Sequence, residues 1–501
     1  MLLSVLMSSS PTAALEVDTI YAWGRPIEDA SDVLNAKFDL EIRAAVERAE
    51  ADHRGREPTC EEVTEAVGER LEFEIFHPVD LWAEQTPLIE RVPGGGEETA
   101  EYRRRNMYHD AAWLDIGMWM PITPVINVDG VYLGIDKLAH FVSSGWRYHG
   151  VYQRARRDGL DHVAAEQAAI RWGILEERTI NGKVSTGVLS RGDLEANHGG
   201  LRFYLELCAA PDPILELVDG RWSVVRPFDI RRYMSPEWDE GYQPSVFAGY
   251  RWRAVRPVLE GYCGKLDDPE VQRLLSDYRA RDRITATEEV FSEFVQKGEI
   301  ADPQPFAFVS MCATTADVAH TTRGSPARGG GSNEHPDDPE RRAELQRRIL
   351  ELEADRPLRV FGLLAAHVDR PKGVSASVGG MFAHPRRADD CHEVCLLRGV
   401  YAQGELGLYG AQMSVGWGAV VGDTGRTDRL VTAVYLAAGI EAALLRTWSG
   451  SPLDPETQTL AGVEGQFSVA RVGMRLGAFY RLTDGDLGGR WVVTGAFGWG
   501  F

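Results

Sequence analysis

No apolar run in this chain of 501 residues reaches the 18 or more that a membrane-spanning helix needs. Basic residues are in short supply. Lys and Arg number 54 against 75 Asp and Glu, a formal net charge of −21, which excludes a whole-chain basic footprint for nucleic acid. Cysteine is sparse, with six in all. Met1 to Met7 is mostly apolar, but it lacks the basic first segment and the length of a secretory signal. There is no internal repeat. Gly182, Gly187 and Gly192 recur at five-residue steps but follow no strand pattern, so they make no phosphate loop. What is present suffices for a core: 44% of residues are hydrophobic and 26% charged, which excludes a chain disordered throughout. The length fits two to four domains.

Charge and glycine are unevenly spread. Residues 358–501 hold 13 basic and 13 acidic side chains and 24 of the 52 glycines. The first 357 residues therefore carry the whole net charge. Between the two parts, Thr321 to Asp338 is rich in Gly, Pro and Ser and has no apolar periodicity, which reads as a linker. Pro339 to Asp355 reads as a short charged helix with Leu345, Ile349 and Leu352 on one side. The expected domains are a helical one over 15–320, a linker and short helix over 321–357, and a β-domain over 358–501. Residues 1–14, with Thr12-Ala13-Ala14 as a small-residue cleavage site, read as the remnant of an export signal, because the other end of the chain calls for export.

That other end alternates with period two. Trp491, Val493, Gly495, Phe497, Trp499 and Phe501 make one face of a last strand, and Val492, Thr494, Ala496, Gly498 and Gly500 the other. Val472, Met474 and Leu476 alternate with Gly473, Arg475 and Gly477; Val463 and Phe467 alternate with Glu464, Gln466 and Ser468; Met413, Val415 and Trp417 alternate with Gln412, Ser414 and Gly416. Apolar positions out and polar or small positions in, over about ten residues per strand, is the pattern of a transmembrane barrel. A sheet in lipid must close to satisfy its own backbone. Turn signals at Asp369 to Lys372, Gly422 to Asp428, Ser449 to Glu456 and Asp484 to Gly489 divide the segment into about eight strands. Leu430 to Trp448 is long and Ala-rich and reads equally as a helix. The segment resembles small outer-membrane barrels, in which a C-terminal Phe on an alternating last strand is the recognition signal for barrel assembly. The resemblance implies outer-membrane lipid and the barrel assembly machinery as partners. A soluble Gly-rich β-domain with one face turned to water is the competing reading.

Cys391 and Cys395 lie close together in a loop of this segment, in Cys-His-Glu-Val-Cys. One pair with a single His is a poor zinc site, so a local disulfide is the expected pairing. Cys60, Cys208, Cys263 and Cys312 leave their connectivity open.

The first 320 residues read mostly as helix, including Asp32 to Glu50 with Ser31 or Asp32 as cap, Glu61 to Leu71, and Glu270 to Tyr278 behind Asp268 and Pro269. The most distinctive stretch is Gly134 to Cys208. Asp136-Lys137-Leu138-Ala139-His140 puts Asp136 and His140 on one helix face. Ser190-Arg191-Gly192-Asp193-Leu194-Glu195-Ala196-Asn197 puts Asp193 and Asn197 on one face of a second helix that Ser190 caps. This stretch resembles a family of predicted periplasmic bacterial proteins, often predicted lipoproteins, of unknown function. Asp136, Lys137 and His140 match its first motif, and Ser190, Gly192, Asp193, Ala196, Asn197 and Gly200 its second. Glu177 corresponds to its intervening Glu, and the family's acidic-Gly step falls on Asn181-Gly182. The resemblance covers about 75 residues and implies no known chemistry.

Two readings of these residues stand side by side. His140, Asp136, Glu177 and Asp193 converge to bind a divalent metal, or, with Asn197, to form an acid–base site. Alternatively they form a buried structural network, with Asp136 and Asp193 as helix caps. Arg103-Arg104-Arg105 reads as a solvated face, the Arg191-Gly192-Asp193 run as chance, and Trp238-Asp239-Glu240 as a helix end or turn, or a carbohydrate site. The expected fold class is multidomain α + β, a helical N-terminal and central domain followed by a C-terminal antiparallel β-barrel. The expected function is a bacterial envelope protein of structural or binding role, which takes an envelope ligand and no nucleic acid. Its rivals are an envelope hydrolase or lipid-modifying enzyme, and a soluble secreted protein.

Overall fold

In the computed structural model of the chain, several helices begin where side-chain oxygens take up free backbone N–H groups. The structure describes residues 16–53, 56–72, 78–109, 112–113, 118–119, 122–179, 182–183, 186–312, 338–354, 359–385, 395–423, 433–448, 457–469, 472–483 and 490–500. The expected export signal at 1–14, most of the linker, Cys391 with its disulfide to Cys395, and Phe501 lie outside those residues. There are two compact units, Met1–Ile349 and Leu350–Phe501.

The first unit is helical. Helix α1 spans Ser31–Asp52. Its cap is neither Ser31 nor Asp32: Asp29 Oδ1 accepts from Ser31 N at 2.9 Å. Helix α2 spans Cys60–Glu72 behind a reciprocal capping box, with Thr59 N donating to Glu62 Oε2 at 2.8 Å and Glu62 N to Thr59 Oγ1 at 3.3 Å. Helices α3 (Gly145–Arg157) and α4 (His162–Glu177) follow, and α4 is capped by Asp161. Helix α5 (Arg191–Glu206) is capped by Ser190, and α6 (Pro269–Arg281) by Asp268 with Pro269 in its first turn, as their sequences predict. No described helix is long and apolar enough to cross a membrane.

The apolar stripe of α1 (Leu34, Phe38, Ile42 and Val46) is at most 5% exposed. Phe38 stacks on Phe228 at 4.4 Å and meets Phe141 edge-on at 5.8 Å. Each such side chain contributes roughly 1.5–3 kcal/mol by leaving water. Two disulfides staple this unit, Cys60–Cys208 and Cys263–Cys312.

Helix α7 spans Pro339–Ala354, and its first turns belong to the helical unit. Ile349 is fully buried and Leu345 is 9% exposed in the same core as α1. Arg342 Nη1 lies 2.7 Å from Asp39 Oδ2 and donates to Phe228 O at 3.1 Å. The expected linker segment therefore ends in a docked helix. The apolar side of that helix explains the difference, because a stripe with such spacing needs a core to cover it.

The second unit is a closed antiparallel barrel of eight strands: β1 Arg359–Arg370, β2 Gly373–Pro385, β3 Cys395–Gly407, β4 Gly410–Asp423, β5 Ala433–Thr447, β6 Thr459–Val469, β7 Val472–Arg481 and β8 Trp491–Gly500. Sequential strands pair, and β8 closes on β1 from Gly495↔Arg370 to Gly500↔Ala365. The Ala-rich stretch that reads equally as helix forms strand β5, in register with β4 and β6. Propensity alone favours helix for such a run, and pairing on both edges overrides it.

The alternation is realised strand by strand. Val493 is 77% exposed, Met413 73%, Leu476 72% and Trp491 69%, while Glu405, Glu441, Glu464, Gln412 and Arg475 are at most 4% exposed. Inside, Glu405 receives Arg475 Nη1 at 2.7 Å, Lys372 Nζ at 3.1 Å and Ser375 Oγ at 2.5 Å. Gln403 Nε2 and Ser414 Oγ each donate to Glu441 Oε2 at 2.8 Å.

Ile349→Ala is expected to destabilise the helical unit by about 2–5 kcal/mol, as for other large-to-small core changes. Leu350→Ala, at a side chain 53% exposed, is expected to change it by about 0.5 kcal/mol or less. Denaturant unfolding followed at the helical circular-dichroism band checks both. Equal effects would mean that α7 is not docked.

Candidate functional site

The two motifs of the Gly134 to Cys208 stretch meet in the core of the helical unit. A hairpin, Val125–Val128 with Val131–Gly134, delivers the chain to a short helix, Asp136–Ala139, which continues as a π-helical turn over His140–Ser144 and then as α3. Helix α5 packs across it at close range. A Cβ at Gly200 would stand 1.9 Å from Phe141 O, so the glycine there is a condition of the approach.

At the crossing, Lys137 is fully buried. Its Nζ lies 2.6 Å from Asp136 Oδ2, 2.6 Å from Asp193 Oδ1 and 2.5 Å from Glu240 Oε1. An ammonium has three donors, and here each faces a carboxylate. Asp136 Oδ1 also accepts from Thr123 Oγ1 at 2.8 Å, and Glu240 Oε1 from Ser190 Oγ at 2.7 Å. His140 sits beside this group, with Nε2 at 3.3 Å from Asp193 Oδ2 and Nδ1 at 3.0 Å from Asn197 Oδ1. Asp136, His140, Asp193 and Asn197 are thus brought together. Neither aspartate caps its helix: the cap of α5 is Ser190, and Ile135 precedes Asp136 with no side-chain cap bond. Both aspartates are turned to Lys137 instead, because a buried ammonium outcompetes a backbone N–H for a carboxylate.

Glu177, at the end of α4, is 2% exposed, and its Oε2 has no hydrogen-bond partner among the described residues. It stands outside the tight group formed by a nitrogen of His140 and an oxygen from each of Asp136 and Asp193, whose ligand atoms lie within 4.8 Å of one another. Residues that sequence spacing did not single out complete the centre. Glu240 is one. Glu16, 5% exposed and accepting from Tyr108 OH at 3.3 Å, is another. Next to Glu240, Asp239 is a hub, accepting from Trp23 Nε1 at 2.9 Å, Tyr278 OH at 3.0 Å, Gly241 N at 2.8 Å and Thr19 Oγ1 at 2.5 Å. Trp238 is 1% exposed, so the Trp238-Asp239-Glu240 run is core and not a carbohydrate platform. Arg191 is 5% exposed and paired with Glu288, which removes the Arg191-Gly192-Asp193 run from any surface role.

Electrostatics follow from crowding several carboxyls around few cations. Burial pulls the Lys137 ammonium down, but Asp136, Asp193 and Glu240 outweigh it and hold the group well above its ordinary value. Burial pushes Asp193 up, and His140 and Lys137 outweigh that and hold it below the usual carboxylate range. Glu16 and Glu177 go the other way. Burial raises both well above their ordinary value, and Glu240 adds to the effect on Glu16 as Asp193 does on Glu177. Burial pushes Glu240 up to about 7 against the pull of Lys137. It likewise raises Glu237 to about 7, reinforced by Asp282, and Asp239 to about 6 despite its four donors.

Comparison with protein-family models, with curated proteins and with solved structures finds no match for this chain. The arrangement itself permits two chemistries: a closed ion-pair network, and ligation of a cation at the His140 corner.

Glu237, Glu240 and Asp239 have raised folded-state values, so the folded protein binds more protons than the unfolded chain from about pH 4 upward. Their stabilisation is complete below about pH 4 and is lost as pH rises through 6 to 7. Stability of the helical unit is expected to fall by a few kcal/mol, to order of magnitude, between pH 5 and 8, and Glu240→Gln to flatten part of that fall. Denaturant midpoints measured across that range check it. A midpoint that is flat or rises would contradict the assignment.

Proposed function

We propose that this is a bacterial cell-envelope protein whose barrel is seated in the outer membrane and whose helical unit works in the periplasm, in an anchoring and binding role. The observation that carries the reading is the inverted polarity of the barrel. Glu405, Glu441, Glu464, Gln412 and Arg475 are buried inside it, while Val493, Met413, Leu476, Trp491, Val378 and Phe497 are at least 60% exposed on its outside. A soluble barrel has the reverse arrangement, because exposing a continuous apolar wall to water is unfavourable at about 25 cal/mol per Å². In lipid the same wall is matched, and a closed sheet pairs its strands edge to edge, as a membrane requires. This weighs against the reading of a soluble secreted β-domain.

The disulfides Cys60–Cys208 and Cys263–Cys312 agree with an oxidising compartment such as the periplasm. A barrel of eight strands is filled by its own inward side chains, so anchoring fits it better than passage of solutes. The binding reading, as opposed to hydrolysis, rests on burial. Asp136, His140, Asp193, Asn197, Glu177 and Glu240 are each at most 7% exposed, which weighs against a catalytic site open to substrate. The partners under this proposal are outer-membrane lipid, the barrel assembly machinery acting on the last strand, and an envelope component held by the helical unit. Kinship with the periplasmic family that the two motifs resemble belongs to the same proposal.

Expressed in a bacterium with two membranes, the protein is expected in the outer-membrane fraction. It should migrate faster on a denaturing gel unheated than boiled. Recovery without detergent and with no heat-dependent shift would overturn the reading. Leu476→Arg, on the outward face, is expected to cost the barrel about 2–4 kcal/mol in lipid if it lies near the midplane. Folding into vesicles with denaturant titration measures it, and a neutral result would place that face in water.

A further inference from the structure

Lys137 occupies only one side of the buried centre. It takes Asp136 Oδ2, Asp193 Oδ1 and Glu240 Oε1, and each of these carboxylates keeps a second oxygen turned elsewhere. Asp193 Oδ2 faces His140 Nε2 at 3.3 Å. Together with an oxygen of Asp136, these atoms form a group within 4.8 Å of one another. Donors bound to one tetrahedral cation at ~2.0–2.1 Å stand ~3.4 Å apart. The His140–Asp193 pair is already at that spacing, and the Asp136 oxygen lies within 4.8 Å of both.

Other features mark the surroundings of this group. Glu177 Oε2 and Glu240 Oε2 are buried without a hydrogen-bond partner among the described residues, on side chains 2% and 7% exposed. Orphaned buried oxygens of this kind call for an ion or a water. The backbone is cleared around the carboxylates: a Cβ at Gly134 would stand 2.0 Å from Asp136 Oδ1, and one at Gly182 would stand 2.4 Å from Glu177 Oε2. His140 is also held in place. Asn197 Oδ1 engages its Nδ1 at 3.0 Å and leaves Nε2 toward the aspartates, as an outer-shell partner does for a ligating imidazole. His140 opens the π-helical turn, a distortion that recurs at functional sites.

We propose that His140 Nε2, Asp193 and Asp136 bind one divalent transition-metal cation as a structural ion of the helical unit. One imidazole with carboxylates and no thiolate suits zinc, manganese or ferrous iron. The ligand side chains are at most 7% exposed, which makes the site closed, as structural sites are. The neighbouring ammonium of Lys137 repels the ion and lowers its affinity, so the site differs from one built of carboxylates alone. The proposal concerns the helical unit and stands whether or not the barrel is seated in a membrane.

The test uses the full chain, untagged, purified in detergent and stripped with a chelator, then titrated with Zn²⁺ or Mn²⁺ alone. One cation per chain is expected. Binding should be weaker by about tenfold or more in His140→Gln and in Asp193→Asn. Lys137→Met, if it folds by circular dichroism, should bind more tightly. Pulsed electron paramagnetic resonance of the Mn²⁺-loaded chain should show coupling to one imidazole nitrogen. A folded wild-type chain that binds no cation overturns the proposal, and so does equal binding in folded His140→Gln and Asp193→Asn. If those variants do not fold, the wild-type spectrum decides: a bound ion with no nitrogen coupling places it elsewhere and overturns the assignment.

Discussion

A charge placed where water cannot reach it must be paired, and in each unit of this protein one such charge draws several partners together. In the helical unit it is the Lys137 ammonium, fully buried and surrounded by Asp136, Asp193 and Glu240. In the barrel it is the Glu405 carboxylate, 4% exposed and met by Lys372 and Arg475. Removing one partner leaves the ion under-paired in a low-dielectric interior, which costs up to about 3–5 kcal/mol. A small change in geometry at either point is therefore felt across the surrounding elements.

In the helical unit this constraint gathers distant parts of the chain. Lys137 and Glu240 are 103 residues apart. One step along the chain, Asp239 holds Thr19 and Trp23, 220 and 216 residues away. The segment before α1, the Asp136–Ser144 turn, the start of α5 and the 236–241 turn are tied at one place. The disulfides hold other parts of the same unit, and α7 closes over α1 with Ile349 and Arg342. Hydrophobic burial supplies the bulk of the stability, and the charged centre fixes which packing is adopted.

How much of this can be read from sequence depends on whether the signal is local. Strands β4, β6, β7 and β8 are legible because outward-facing apolar and inward-facing polar or small residues alternate with period two, and Met413 to Trp417 and Val472 to Leu476 show it without interruption. Strand β5 is not legible, because Ala437, Ala438, Ala442 and Ala443 carry no polarity contrast and Ala favours helix. Asp136, His140, Asp193 and Asn197 are legible as i, i+4 pairs on two helices. Glu16 and Glu240 are not, since only the tertiary fold brings them to Lys137. The one local hint is an acidic pair, Asp239 and Glu240, next to a Trp in an apolar neighbourhood. The role of the aspartates is misread for a related reason. A carboxylate near a helix start looks like a cap until a buried lysine, invisible to spacing rules, claims it.

The most direct test of the account is a double-mutant cycle on Lys137 and Glu240, read as unfolding free energy of the helical unit from Lys137→Met, Glu240→Gln and the pair together. If the buried ammonium organises the centre, the double variant loses less than the sum of the single losses, with a coupling of about 0.5–3 kcal/mol. Losses that add to within about 0.3–0.5 kcal/mol would show two independent side chains and contradict the account.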